Sequence, residues 1–418
     1  MMEALTGSFW QHKLPRWLGY GFFVGMMAVG YYYNLTFVQL GLLDWGRRGV
    51  GLPRAQVAAY MALLAVLTCL FSLVFGWLMK IRGWGGDFRL KLRIAFGVVA
   101  LQLVLTVLAM RIQSRYGFLW WLVGASCALG VGVPVTFGMT VDLIPRGGRG
   151  FAAALITGLA YLGANILPAS WTLKDFARPV LWVMPPGLLF LGVMAFFPFP
   201  WVDRLAEQHT HSRFGIGRYA READHRLYLL ILLMFGVFFT DSLGFLRLVE
   251  TPRLMESAWQ ASSLNIRAFI GAVHLGAALI GGVLYRALDV RELFYWIFGI
   301  FALTHLLYTF SLRIGSDNIV LTMPILYAVA VSLYTVVNFA LWADLSTPEN
   351  IGFHAALGVS LSGWTATFIS TGLAIWMEDV GVSLERHLNI TDAIAMLFFV
   401  GLIGLSLLPV NQERSERE

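Results

Sequence analysis

The sequence contains little charge. Only 13% of its 418 residues are Asp, Glu, Lys or Arg, and 58% are hydrophobic, whereas soluble proteins have about 25% charged and roughly 45–50% apolar residues. This composition excludes an ordinary soluble enzyme. The net charge is +6, but the basic residues are spread over short connections between apolar stretches. That distribution is typical of membrane topology and predicts no nucleic-acid binding.

Cysteines are scarce, and the common catalytic motifs are missing. Cys69 and Cys127 both lie in apolar runs, which favours small buried side chains over a disulfide or a metal site. The sequence has no His-Glu-x-x-His, Gly-x-Ser-x-Gly or Gly-x-x-x-x-Gly-Lys pattern. His209 and His211 form a His-x-His pair that we interpret as part of a solvated loop. We therefore predict no enzymatic activity, no cofactor and no metal site.

Long apolar runs occupy most of the chain. A helix needs about 20 mostly apolar residues to cross a bilayer, and twelve stretches approach or exceed that length. They fall near 17–45, 55–79, 94–111, 117–139, 150–170, 180–199, 227–248, 264–286, 292–312, 319–343, 352–377 and 391–409. The sequence therefore predicts an all-α integral membrane protein with twelve transmembrane helices.

The connections between these stretches predict orientation and domains. An even number of spans places both termini on one side, and the excess of Lys and Arg on that side, notably in 80–93, predicts that it is cytoplasmic. We expect a monomer in a bacterial inner (plasma) membrane. The longest polar connection separates spans six and seven. The predicted domains are 1–201 and 227–418, each a six-helix bundle, with a cytoplasmic linker at 202–226.

An internal repeat supports this division. Matches between the two halves share one offset of 202 residues or lie within a few residues of it. They are Asp142-Leu143 with Asp344-Leu345, 150–155 with 352–357, Phe96-Gly97 with Phe298-Gly299, and 76–80 with 282–286. Corresponding spans then run in the same direction. The pattern predicts two parallel six-helix repeats, related by an axis along the membrane normal.

Two connecting motifs resemble those of the major facilitator superfamily. The loop after span two contains Gly76, Leu78, Lys80 and Gly83, with a basic residue where that family usually has an acidic one. The loop after span four contains Asp142, Pro145, Arg149 and Gly150. The resemblance implies a secondary transporter that moves a small solute by rocker-switch alternating access. It also implies that spans 1, 4, 7 and 10 line the path, helped by 2, 5, 8 and 11, while 3, 6, 9 and 12 face lipid.

A narrower resemblance gives an alternative function. The segments 25–27 and 38–41 with Asn34, and 356–358 with Gly363-Trp364, are similar to the bacteriochlorophyll-delivery and light-harvesting-assembly branch. The acidic Leu-Glu-Pro stretch of that branch is missing from span seven. The alternative is a pigment-delivery or membrane-complex assembly factor that has the transporter fold and needs no ion coupling.

One carboxylate is the leading candidate for a coupling or substrate role. Asp241 is the only acidic residue well inside a predicted span, and an isolated charge in hydrocarbon costs several kcal/mol unless it is paired or faces water. Arg267 and His274 lie seven residues apart on span eight, on one helical face. Either could pair with Asp241. His274 could also relay a proton, which makes proton coupling a prediction.

Neutral polar residues on the path-lining spans complete the predicted binding site. Asn34, Asn165 and Asn338 lie in spans one, five and ten and offer hydrogen-bond donors and acceptors to a ligand. Each could equally form interhelical hydrogen bonds worth roughly 0.6–2 kcal/mol. Trp364 could form an aromatic wall of the cavity or could simply be a packing residue.

A cytoplasmic gate is the last prediction. Asp142 and Asp344 stand at the inner ends of spans four and ten, close to basic residues after spans two and eight. We expect Lys80 or Arg82 to pair with Asp142, and Arg286 to pair with Asp344. Some of these pairs would break when the two halves move, although exposed loop charges contribute less than about 1 kcal/mol.

Overall fold

The computed structural model describes residues 14–168, 170–200, 202, 217–249, 251–314 and 321–407, and this part of the chain is helical, without a strand. Most of the predicted linker lies outside the described residues. The long helices are α1 (Leu14–Tyr32), α2 (Arg54–Ile81), α3 (Phe88–Ala109), α4 (Arg115–Leu143), α5 (Arg149–Ile166), α6 (Leu173–Phe196), α7 (Ala223–Val249), α8 (Leu264–Ala287), α9 (Val290–Ile314), α10 (Thr322–Asp344), α11 (Thr365–Asp379) and α12 (Leu384–Leu407).

Nine of the described helices are long and apolar enough to cross a membrane: α2, α3, α4, α6 to α10, and α12. Large apolar side chains on their outer surfaces are exposed, among them Trp182 at 75% and Leu397 at 72%. A bilayer would cover these side chains. The chain is therefore an integral membrane protein, and the count of twelve spans stays a prediction.

Two of the remaining helices adjoin π-helical stretches. α1 continues through the π-helix Tyr33–Leu40, the short helix Gly41–Asp44 and a second π-helix, Trp45–Gly49. α11 follows the helix Ile351–Ala355 and the π-helix Ala356–Trp364. Long π-helical stretches are rare and frequently mark functional sites. Both of these contribute side chains to the cavity described below.

Contacts between helix ends show that the first and third helical stretches run in the same direction, whereas α3 and α6 run in opposite directions. The Trp45 indole donates to the Ile112 carbonyl at 3.1 Å, which joins the ends of the first and third helical stretches. Arg89 at the start of α3 donates to the Phe197 carbonyl at the end of α6 at 2.7 Å. We call the face where α1 begins the inner face, because the sequence predicts that it is cytoplasmic. The opposite face is the outer face.

The first six helices meet the last six at two crossings that have no side chains between the backbones. On the α2 side, a Cβ on Gly76 would lie 2.8 Å from the Gly352 carbonyl oxygen, and on the other side a Cβ on Gly282 would lie 2.8 Å from that of Gly150. In the predicted repeat, Gly76 corresponds to Gly282 and Gly150 to Gly352. The predicted repeat therefore relates one crossing to the other, and the repeat itself stays a prediction.

Candidate functional site

A cavity of about 540 Å³ lies between the first six and the last six helices. This volume is in the usual range of ligand pockets, roughly 300–1,000 Å³. Its lining is mostly apolar. Asp241 is the one carboxylate among the described residues that line it, and none of them is Lys or Arg.

Asp241 of α7 is held by two phenols of α10. The Tyr327 hydroxyl donates to Oδ1, and the Tyr334 hydroxyl donates to Oδ2 at 2.5 Å. The two tyrosines are seven residues apart, about two helical turns, so their side chains lie on one face of α10. Both are 3% exposed. Each carboxylate oxygen therefore has a buried donor, which offsets part of the cost of placing a charge in hydrocarbon.

Aromatic rings surround this cluster and restrict its contact with water. The Phe238 ring meets Tyr334 edge-on with centroids 5.2 Å apart, and the rings of Phe245 and Trp259 lie 5.9 and 5.7 Å from Tyr327. Phe238, Phe245 and Trp259 also line the cavity. A low-dielectric wall of this kind strengthens hydrogen bonds and ion pairs inside it.

The predicted partners of Asp241 were wrong. Arg267 is 8% exposed, donates to the Pro168 carbonyl and does not line the cavity, because its position at the outer end of α8 directs the guanidinium to the end of α5. His274 does line the cavity, but its Nδ1 lies 2.9 Å from the Ser332 hydroxyl. Within the described part of the chain, no ion pair includes Asp241.

A second polar cluster joins the two sets of helices. Tyr31 of α1 and Tyr161 of α5 have hydroxyl oxygens 2.8 Å apart, and the Tyr161 oxygen lies 3.4 Å from Oγ1 of Thr335 on α10. The His274 ring stacks on Tyr161, with centroids 4.5 Å apart. These contacts connect α1 and α5 to α8 and α10. Any separation of the two sets at this level must break them.

The other predicted binding residues also line the cavity: Asn34, Asn165, Asn338 and Trp364. Asn338 accepts a hydrogen bond from the Trp342 indole at 3.0 Å, and the Asn165 amide donates to the Tyr161 carbonyl at 2.8 Å. The buried Oδ1 atoms of Asn34 and Asn165 have no hydrogen-bond partner among the described residues. Both are free to accept from a ligand.

At the inner face, Asp142 and Asp344 form buried ion pairs. Lys91 of α3 pairs with Asp142, and both side chains are 0% exposed. Arg149 of α5 pairs with Asp344 at 2.7 Å, and the Tyr285 hydroxyl donates to the other oxygen of Asp344 at 2.9 Å. The first pair lies within the first six helices. The second joins α5 to α10 and therefore connects the two sets.

The predicted basic partners of both aspartates were wrong. Arg82 and Arg286 are exposed at the inner face, and the exposed Lys80 ammonium lies 5.4 Å from the centroid of the Phe353 ring. Lys80 and Arg286 lie in the last turns of α2 and α8, and Arg82 directly follows α2, so their long side chains reach solvent. Lys91 and Arg149 lie inside the helical bundle and reach the buried aspartates directly.

The outer face is connected by a separate ion-pair cluster. Glu378 of α11 pairs with Arg54, the first residue of α2, and with Arg247 of α7 at 2.6 Å. Arg54 and Glu378 are 37% and 34% exposed. The two sets of helices are thus joined by ion pairs at both ends of the cavity. The inner pair is buried and the outer pair is partly open to solvent.

No protein-family model and no curated protein sequence matches the chain. Solved structures do match it. The structure of the proton:xylose symporter XylE, bound to 6-bromo-6-deoxy-D-glucose, has a TM-score of 0.65 at 12% identity and covers 94% of this chain and 96% of its own. The fold is that of the major facilitator superfamily. The human organic anion transporter MFSD10 (TETRAN) has the same fold, with a TM-score of 0.59, 15% identity, and coverage of 93% of this chain and 99% of its own.

The major facilitator fold confirms the resemblance seen in the two loop motifs. The resemblance implied that spans 3 and 6 face lipid. In the structure, residues of α3 and α6 line the cavity, among them Gln102 and Gly187. His305 lies on α9, a helix that the resemblance places toward lipid, but it is fully buried and its ring centroid lies 6.3 Å from that of Tyr327.

Sequence reasoning missed several residues that the structure brings together. Tyr327 and Tyr334 were not selected, although their spacing of seven on a predicted path-lining span was a usable signal. Lys91 was counted only as a loop charge, and Arg149 only as part of a motif. Glu378 was overlooked because it lies at a predicted span end, where a charge is common.

Around the cavity and elsewhere in the described residues, no group of three or more His, Cys, Asp or Glu side chains could hold a metal ion.

Proposed function

We propose that this protein is a secondary transporter that carries a small solute across the membrane by alternating access, with the first six helices moving against the last six. The single observation that supports this most is the cavity itself. It lies between the two sets, contains one half-buried carboxylate, and has a different set of ion pairs at each end. A binding site between two opposable gates is the minimum that alternating access requires.

Asp241 is the proposed coupling or substrate-binding group. Its hydrogen bonds come from neutral phenols, so the carboxylate keeps a charge that a proton or a cationic group of the substrate can neutralise. Proton coupling is part of the proposal on this basis. His274, Asn34, Asn165, Asn338 and Trp364 supply further contacts around the cavity.

The gates are the Arg149–Asp344 pair at the inner face and the Arg54–Glu378–Arg247 cluster at the outer face. Opening to one side requires one of them to separate while the other holds. The charges of the inner gate are buried, so an intact gate disfavours entry of water from that side, whereas a gate with one partner removed leaves an uncompensated charge that favours it.

Cysteine labelling tests alternating access without knowledge of the substrate. In a chain carrying Cys69→Ser and Cys127→Ser, Ser242→Cys places a thiol in the cavity. A membrane-impermeant maleimide is added to right-side-out and inverted vesicles. Asp344→Asn should raise labelling from the inner face and lower it from the outer face, and Glu378→Gln should do the reverse.

The matched control is Glu385→Gln. Glu385 forms an ion pair of 2.5 Å with Arg313, but both lie in the last six helices, at the outer ends of α12 and α9. Loss of this pair should leave labelling unchanged from either side. Equal changes from both sides in the two gate variants would contradict alternating access. That result would favour the alternative, an assembly or pigment-delivery factor whose cavity does not alternate.

A further inference from the structure

The cavity extends asymmetrically into the first six helices. Its lining includes residues of α3 and α6, such as Val98, Gln102 and Gly187, but among the described residues none comes from the corresponding helices α9 and α12. We call the part between α1, α3 and α6 the lateral chamber. α6 also forms part of the lipid-facing surface of the bundle, where Trp182 is 75% exposed.

Glycines keep the lateral chamber open between α1 and α6. A Cβ on Gly25 of α1 or on Gly187 of α6 would have no atom within 4 Å. Both positions line the cavity, as does Val183 of α6, which is 48% exposed. Toward the inner face the gap is closed by the rings of Phe22 and Phe190, whose centroids lie 4.9 Å apart. The chamber therefore reaches the lipid-facing surface above this ring contact.

In the last six helices, α7, α9 and α12 pack closely against one another. There the Phe398 ring of α12 lies against Gly236 of α7, with an atom 2.6 Å from where a Cβ would be, and it stacks on Phe298 of α9 at 5.1 Å between centroids. At the offset of the predicted repeat the equivalent rings are Phe96 and Phe196, which also meet, with centroids 5.2 Å apart. The difference between the two sets therefore lies in the cavity lining, which among the described residues includes residues of α3 and α6 but none of α9 and α12. An empty apolar volume loses packing contacts, so its presence on one side only points to a ligand that occupies it.

The charge of the lining limits the chemistry of that ligand. No described lining residue is Lys or Arg, and Asp241 is the one carboxylate. An anion would meet a like charge without a compensating base, whereas a cationic head group would have an ion-pair partner. The unsatisfied Oδ1 atoms of Asn34 and Asn165 also accept hydrogen bonds from a donor-bearing head. The apolar lateral chamber suits a hydrocarbon body.

We propose that the ligand is a cationic amphiphile that enters from the bilayer between α1 and α6, with its head group at Asp241 and its apolar body in the lateral chamber. This inference rests on the proposed function, because it names the substrate class of the same cavity. From Gly21 to Leu43, the lining residues of the first helical stretch span roughly 30 Å at about 1.5 Å per residue. A long apolar chain fits such a path.

Protection of an introduced thiol tests the chamber directly. In the background without Cys69 and Cys127, Val98→Cys or Val99→Cys places a thiol in the chamber, and Leu397→Cys places one on the lipid-facing surface of α12. The protein is held in nanodiscs, and the rate of modification by N-ethylmaleimide is measured. The probes are dodecyltrimethylammonium, butyltrimethylammonium and dodecanesulfonate, each below its micelle-forming concentration.

Dodecyltrimethylammonium should slow modification of both chamber thiols by about tenfold when it is present at roughly nine times its Kd, because about nine-tenths of the sites are then occupied. The short-chain cation and the long-chain anion should protect neither thiol, and no probe should protect the thiol at position 397. Protection by the sulfonate, or equal protection by the short-chain cation, would overturn the proposal. Protection at position 397 as well would mean partition into lipid only, and would also overturn it.

The entry route has its own test. Gly25→Leu with Gly187→Leu should fill the gap and slow the onset of protection at least about tenfold, a difference equal to about 1.4 kcal/mol in barrier height. Gly401→Leu is the control, because that glycine on α12 also has open space around it and does not line the cavity. Unchanged onset in the double variant would contradict lateral entry. If Asp344→Asn and Glu378→Gln change labelling from the two faces as expected but no probe protects a chamber thiol, the proposed function stands and only this inference fails.

Discussion

Arg149 and Asp344 are 195 residues apart in the chain and form a buried ion pair of 2.7 Å that joins α5 to α10. The predicted repeat would place a similar contact between Asp142 and residue 351, but that residue is Ile351, which clusters with Val141 and Ala343. Asp142 therefore takes its positive charge from Lys91 within the first six helices. Asp142 and Asp344 correspond in the predicted repeat, but the ion pair of Asp142 lies within the first six helices and that of Asp344 joins the two sets.

Replacement of Arg149 by Leu should weaken the inner gate. The variant leaves the buried carboxylate of Asp344 without its cation, which costs about 3–5 kcal/mol, and hydration of that carboxylate favours opening at the inner face. We expect higher labelling of the thiol introduced by Ser242→Cys from the inner face, together with a lower thermal unfolding temperature. The double variant Arg149→Leu with Asp344→Leu should recover most of the lost unfolding temperature. If the single variant leaves labelling unchanged, the pair is not a gate.

Replacement of Lys91 by Met should destabilise the fold without opening it. Lys91 is fully buried, pairs with Asp142 and also donates to the Gly85 carbonyl at 2.5 Å. Lys91 and Asp142 lie on α3 and α4, and Gly85 lies in the connection between α2 and α3. The unfolding temperature should fall by an amount comparable to that for Arg149→Leu, because both variants leave a buried charge without its partner. The labelling pattern should not change. Increased labelling from the inner face would contradict the interpretation that Lys91 stabilises the fold and takes no part in the gate.

The glycine crossings should not tolerate a side chain. Gly76→Ala and Gly282→Ala each place a Cβ 2.8 Å from a backbone carbonyl oxygen of the other set of helices, so the helices must move apart. We expect looser contact at the inner face, measured as faster labelling of the cavity thiol from that side. Gly97→Ala is the matched control, since a Cβ there has no atom within 4 Å. Equal behaviour of Gly76→Ala and Gly97→Ala would rule out the crossing as a determinant of closure.

A change in salt concentration should affect the outer gate and leave the inner gate unchanged. The Arg54–Glu378 pair is about one-third exposed at both partners, whereas Arg149 and Asp344 are 1% and 3% exposed. Ions screen exposed charges over about 10 Å at 0.1 M and hardly affect buried pairs. Raising the salt concentration from 0.05 to 0.5 M, values chosen to span roughly threefold in Debye length, should increase labelling from the outer face. Glu378→Gln should abolish this salt dependence.

Asp241→Asn should abolish binding of the cationic probe while the fold stays intact. The amide keeps an oxygen that can accept from Tyr327 or Tyr334, but it has no charge to attract a cation. We expect the affinity for dodecyltrimethylammonium, measured by protection of the chamber thiol, to fall at least tenfold, a loss of about 1.4 kcal/mol or more. The unfolding temperature should change little.

Asp392→Asn is the control for this variant, because Asp392 lies on α12 and does not line the cavity. Tyr334→Phe should give an intermediate loss, since it removes one of the two donors that orient the carboxylate. Full protection in Asp241→Asn would mean that the head group binds elsewhere.

Much of the candidate site could be selected from the sequence. Asp241, His274 and the three asparagines were predicted from polar residues in apolar spans, and all of them line the cavity. A polar group inside hydrocarbon is costly, so its position alone suggests an interior location. The partners of these residues could not be selected in the same way. Either Arg267 or His274 was expected to pair with Asp241 because the two share one face of span eight, but the sequence does not show which helix that face meets.

The sequence by itself determined that this is a helical membrane protein, because hydropathy and length along the chain decide which segments can leave water. Its loop motifs also indicated the major facilitator fold. Only the tertiary structure decided which cation neutralises each buried aspartate, that two tyrosines hold Asp241, and that the cavity opens toward α3 and α6. These features depend on distances between helices far apart in the chain, and such distances result from packing, which local sequence patterns do not encode.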